Sequence, residues 1–158
     1  MFEDKRKVEI ERFEQTIDIV REQFPDLEIR IVRDHPHVEA VAEMPRQSGL
    51  DFDVHINLQN CDEMHLCVSN FWGEWFPCGD ERIFEQYMDA LTGVLSGEYR
   101  IVEKSVFGEH AIARLQRPKA VGSWETAYTS STLSVLIPWF RTTRIVQKHI
   151  ASPIKTAA

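Results

Sequence analysis

Apolar residues recur along the chain at two alternating periods. Ile10, Phe13, Ile17, Val20 and Phe24 step by three or four, which stacks them on one stripe of a helix over residues 4–24, and Pro25 ends it. From Leu27 the period becomes two: Leu27, Ile29 and Ile31 alternate with Glu28 and Arg30, and Val38, Ala40, Ala42 and Met44 follow a turn at Asp34-His35-Pro36-His37. This predicts a β-hairpin. The alternation is most regular over residues 50–58, where Leu50, Phe52, Val54, Ile56 and Leu58 face one way and Asp51, Asp53, His55 and Asn57 the other. A three-residue turn at Asn60 to Asp62 would return the chain through Met64, Leu66 and Val68, pairing Ile56 with Leu66 and His55 with Cys67, because only an odd loop keeps both apolar faces together. That strand is expected to run on into the aromatic stretch Phe71 to Pro77, with Gly73 marking a bulge.

Asp80 is placed to cap a second helix whose apolar face is Ile83, Phe84, Tyr87, Leu91, Val94 and Leu95, with Gly97 as its stop. Strands are expected near 98–105, 110–116 and 123–129. Pro138 disfavours a continuous helix in the last stretch, which reads as a short strand or turn and then a C-terminal helix near 143–150. A shift of 70 residues lays the second helix over the first and Glu28 to Val32 over Glu98 to Val102, suggesting half-repeats 4–77 and 80–150. Any two amphipathic helix-plus-hairpin units look alike, so the safer expectation is the order helix, three or four strands, helix, three or four strands. The predicted class is a single α+β domain, residues 1–158, with two helices on one face of an antiparallel sheet and the other face wet. In element order it resembles small acidic chaperone-like and adaptor domains.

Composition fits that class: 158 residues, 43% hydrophobic and 27% charged, can bury a core without disulfides or metals. Three cysteines, Cys61, Cys67 and Cys78, with no C-x-x-C spacing and no signal-peptide pattern suggest a reducing cytoplasm, and no apolar run is long enough to span a membrane. The net charge of -7 argues against nucleic acid or anionic membranes as partners. It is unevenly spread. Residues 1–79 carry 17 acids and 8 bases, residues 80–158 carry 8 acids and 10 bases, and no acid follows Glu125. The basic tail, with Trp139, Phe140, Arg141, Arg144 and Lys148, is therefore expected to dock on the acidic first half, within one molecule or across a homodimer.

Three groups of residues could carry chemistry. His55, His65 and Cys67, on the polar face of the 50–69 hairpin, offer the nitrogen and sulfur donors that zinc takes and leave a fourth position for water. The same face could instead hold a cysteine nucleophile, Cys67, with His55 as its base and Asp53 or Asn57 orienting the imidazole. His35 and His37 flank Pro36 on one side of an extended chain, a weaker pair of ligands. Phe71, Trp72, Glu74, Trp75 and Phe76 present more aromatic surface than one strand edge buries and could anchor a partner. Glycine-rich phosphate loops and the G-x-S-x-G elbow do not occur in the sequence. The expected function is thus a non-enzymatic protein-binding module for a basic partner, as immunity proteins or chaperones are. The alternatives are a metal or cysteine enzyme around His55, His65 and Cys67, and a small-ligand domain with an aromatic-lined sheet face.

Overall fold

The computed structural model describes residues 2–106, 109–131 and 141–146. They form an α+β fold in the order α1 (Phe2–Gln23), β1 (Arg30–Val32), β2 (Ala40–Met44), β3 (Val54–Gln59), β4 (Glu63–Val68), β5 (Phe71–Trp75), α2 (Glu81–Ser96), β6 (Arg100–Val106), β7 (Glu109–Ala120), β8 (Ser123–Ser131) and β9 (Arg141–Val146). The strands make two antiparallel sheets rather than the single expected one: a five-stranded meander β1-β2-β3-β4-β5 and a four-stranded sheet β8-β7-β6-β9.

Both helices follow their apolar stripes. Phe13, Ile17, Val20 and Phe24 of the first, and Phe84, Tyr87, Ala90, Leu91, Val94 and Leu95 of the second, are buried in one core with Ala42, Met44, Val54, Ile56, Leu58, Met64, Leu66 and Val68 from the inner face of the larger sheet. Asp80 caps α2 by accepting the Ile83 N–H at 3.1 Å, and Gly97 closes it in the left-handed region at φ 82°, a conformation that costs glycine nothing. Arg12 ties the helices together, because its guanidinium pairs with Glu81 and lies 4.7 Å over the Phe84 ring.

The second sheet completes the same core through Ile101, Ala113 and Leu115. It meets β5 by side chains rather than by a continued ladder: Trp75 sets its ring 4.8 Å from that of Tyr128, and the Trp72 N–H donates to Ser130 Oγ at 3.3 Å. The buried Glu103 of β6 reaches back to the turn between β4 and β5, where its carboxylate accepts the Asn70 N–H at 2.9 Å and the Asn70 amide at 3.1 Å. Burial pushes the Glu103 pKa up, but these bonds, one from Ser69, and the charge of Arg144 outweigh it and hold the group below its ordinary value.

Five further sequence expectations change. The chain does not run straight from β4 into β5 but turns at Ser69-Asn70, with Val68 opposite Phe71 and Ser69 at φ 52°. Gly73 is no bulge, since it pairs in register with Leu66; an added Cβ there would lie 2.7 Å from the Trp75 ring and 3.0 Å from Phe71, so its bare backbone makes room for those rings. The helix expected near 143–150 is contradicted through residue 146 by strand β9, whose Arg-Thr-Thr-Arg-Ile-Val is rich in β-branched residues and finds the free edge of β6; residues 147–150 lie outside the described residues. Arg144 therefore sits opposite Glu103 in the second half instead of on the acidic front, while Trp139, Phe140 and Lys148 lie outside the described residues. The two halves also differ in topology, because the first sheet is a plain meander and in the second β9 returns to pair with β6.

Candidate functional site

The outer face of the larger sheet gathers the polar positions of its strands into rows. The β3–β4 register pairs Ile56 with Leu66, His55 with Cys67 and Asn57 with His65, as the odd loop predicts, and Asn60 and Cys61 in that loop take positive φ values of 53° and 73°. Continued across neighbouring strands, one row reads Arg30, Glu43, His55, Cys67, Trp72, and the next Val32, Val41, Asn57, His65, Glu74.

Within these rows the predicted residues part company. His55 is exposed and has its Nδ1 3.9 Å from a Glu43 oxygen. Cys67 is its ladder partner, but burial pushes the Cys67 thiol up to about 11, which keeps it protonated at neutral pH, where a nucleophile must be a thiolate. Asp53, one of the two residues expected to orient His55, lies before the strand and accepts the Arg46 N–H at 2.7 Å. None of Cys61, Cys67 and Cys78 is in a disulfide. His65 is the buried member, only 1% exposed. Its Nε2 lies 3.7 Å from Glu63 Oε2 and 3.9 Å from Glu74 Oε2, and the Trp72 ring stands edge-on 4.8 Å away. Burial lowers the His65 pKa against the pull of Glu74 and Glu63, so the imidazole is held neutral.

Among the described residues, the metal-capable ligand atoms that converge are those of Glu63, His65 and Glu74, all within 4.8 Å of one another. Neither glutamate stands among the ligands expected from the sequence. Glu63 carries a signal, because it stands two residues before His65 and thus on the same face. Glu74 carries one only once the Ser69-Asn70 turn fixes the β4–β5 register.

The aromatic stretch obeys alternation. Phe71 and Trp75 are buried in the core and cannot anchor a partner, whereas Trp72 is 48% and Phe76 55% exposed, with Glu74 between them also exposed. His35 and His37 lie exposed in the β1–β2 connection with ring centroids 5.9 Å apart.

A second surface lies at the opposite edge of this sheet. Between α1 and β1 runs an open groove of about 620 Å³. Its apolar lining includes Phe13, Ile17 and Ile31, the last 40% exposed, and its charged lining is Glu14, Asp18, Asp34 and Glu39 against Arg21 and Arg33. β1 is the terminal strand of the sheet and has no ladder partner on its outer side among the described residues. No helix of the described residues is long and apolar enough to cross a membrane. Compared with protein-family models, curated proteins and solved structures, the chain matches none of them.

Proposed function

We propose that this chain is a non-enzymatic protein-binding module that takes an extended, basic segment of a partner protein into the groove between α1 and β1. The observation that carries this reading is the groove's combination of an apolar floor with four carboxylates against two guanidiniums. An extended segment can add main-chain hydrogen bonds to the open side of β1 while alternate side chains meet the exposed Ile31 on one side and Glu14 and Asp18 on the other. Glu14 and Asp18 are exposed and one helical turn apart, so two cations of the partner can reach them together.

The test uses a fluorescent peptide of alternating lysine and leucine, with a glutamate–leucine peptide as control, in anisotropy titrations of the full chain. The lysine peptide should bind more tightly, and raising salt should slow its association. Reversing both acids, Glu14→Lys with Asp18→Lys, replaces two surface attractions of roughly 0.2–1 kcal/mol each with repulsions and should weaken binding about tenfold or more. Equal binding of the two peptides, or an unchanged affinity in the double variant, would refute the groove as the docking site.

A further inference from the structure

We infer that Glu63, His65 and Glu74 form a binding site for a divalent transition-metal ion of the zinc type, on the outer face of the larger sheet where β4 and β5 meet. Two independent observations carry it. The first is convergence: one imidazole nitrogen and two carboxylate oxygens lie within 4.8 Å of one another. The second is that His65 is 1% exposed, yet neither ring nitrogen has a hydrogen-bond partner, and Nε2 faces both carboxylates. A buried imidazole without a partner gives up its hydration and gains nothing in exchange, so an orphan of this kind calls for an explanation.

A direct ion pair does not supply it. A protonated His65 would draw a carboxylate to about 2.7–2.9 Å, whereas the separations are 3.7 and 3.9 Å. A tetrahedral ion bonded at about 2.0–2.2 Å holds its ligand atoms roughly 3.3–3.6 Å apart, a few tenths of an ångström inside the two separations from His65 Nε2 and more than an ångström inside the 4.8 Å that bounds all three atoms. Closing that gap asks for side-chain torsions of two glutamates whose side chains are 23% and 42% exposed.

The surroundings suit a metal ligand. Asn60 Nδ2 donates to Glu63 Oε2 at 2.8 Å and steadies that carboxylate from outside. Asn57, the ladder partner of His65, holds its own buried Oδ1 without a hydrogen bond, so it is a candidate acceptor for an Nδ1 proton, which would leave the Nε2 lone pair for the ion. The donor set selects the class: an imidazole favours zinc-like ions over magnesium or calcium, and two carboxylates neutralise a divalent charge. Three protein ligands leave a position on the solvent side for water. The site uses none of the groove residues and stands or falls apart from the proposed function.

The experiment is calorimetric titration of Zn²⁺ into the chelator-treated 158-residue chain, beside Co²⁺ absorption spectra and melting curves. One ion per chain should bind and raise the melting temperature, and bound Co²⁺ should show the intense visible bands of a four- or five-coordinate site. Glu63→Gln and Glu74→Gln, at a half-buried and an exposed side chain where the isosteric amide keeps the size, should each weaken Zn²⁺ by roughly 100-fold. Cys67→Ser and the double change of His35 and His37 to alanine should leave binding intact. Absence of stoichiometric Zn²⁺ binding, or binding that survives both glutamine variants, would overturn the assignment.

Discussion

Glu103 is the carboxylate through which β6 of the second sheet holds the β4–β5 turn of the first, and replacing it with glutamine tests that link. Glu103 is 3% exposed and accepts two hydrogen bonds from Asn70, at 2.9 and 3.1 Å. A hydrogen bond to a charged acceptor contributes roughly 1.5–3 kcal/mol. The glutamine keeps one acceptor, but it turns an NH₂ toward the Asn70 amide or forces that amide to rotate. Because Asn70 is exposed and its donors can turn to water, the expected loss for Glu103→Gln is near the lower end, about 2 kcal/mol. For a domain of this length that corresponds to roughly 1 M in the urea midpoint and about 4–8 °C in Tm. The pH dependence makes the test sharper. The folded pKa of Glu103 lies below the ordinary 4.5. Its stabilisation is therefore complete above that value and is lost as pH falls through the folded pKa. Urea titrations of both proteins at about pH 7 and about pH 3 should show a deficit at neutral pH that narrows in acid. An unchanged midpoint at neutral pH, or a deficit of equal size at both, would refute the role given to the carboxylate.

Three further outcomes follow from the packing. Gly93→Ala should destabilise, although alanine normally gains about 1 kcal/mol over glycine inside a helix. The new Cβ would fall 2.5 Å from the Tyr99 ring, which is fixed by its N–H on the Gly93 carbonyl at 2.9 Å and its hydroxyl on Asp89 at 2.7 Å; a Tm at or above that of the parent would contradict this. Gly73→Ala should cost about 1–3 kcal/mol by overpacking against Trp75 and Phe71, seen as a lower urea midpoint, whereas a true bulge would tolerate it. In timed alkylation with iodoacetamide near neutral pH, the exposed Cys61 should react first. Cys67 and Cys78, whose thiols burial pushes up to about 11, should lag by roughly 100-fold against an ordinary thiol; rapid labelling of Cys67 would revive it as a nucleophile.

Some of this protein is written in local pattern alone. The helical stripe from Ile10 to Phe24, the Asp80 and Gly97 caps and the β3–β4 register each depend on residues within one element or one hairpin, where periods of 3.6 and two and the parity of a loop leave little choice. The same parity sets His55 opposite Cys67 and Asn57 opposite His65, and nothing beyond the hairpin is needed for it.

Tertiary structure decided the rest, because the deciding partners are distant in sequence. Ser69 and Asn70 are turn-forming residues, but the apolar alternation reads on past them as strand; Glu103, more than thirty residues later, holds the turn. The fate of residues 141–146 depended on the open edge of β6, which drew a β-branched segment into a strand. Which polar residues converge depended on that turn as well, since only the β4–β5 register brings Glu74 beside His65. The sequence by itself determined which residues are polar on the outer sheet face, since alternation follows from strand geometry. Only the folded chain determined that one of them, His65, is buried between two carboxylates while its neighbour His55 stays in water, because burial on a sheet face is set by the side chains that neighbouring strands deliver.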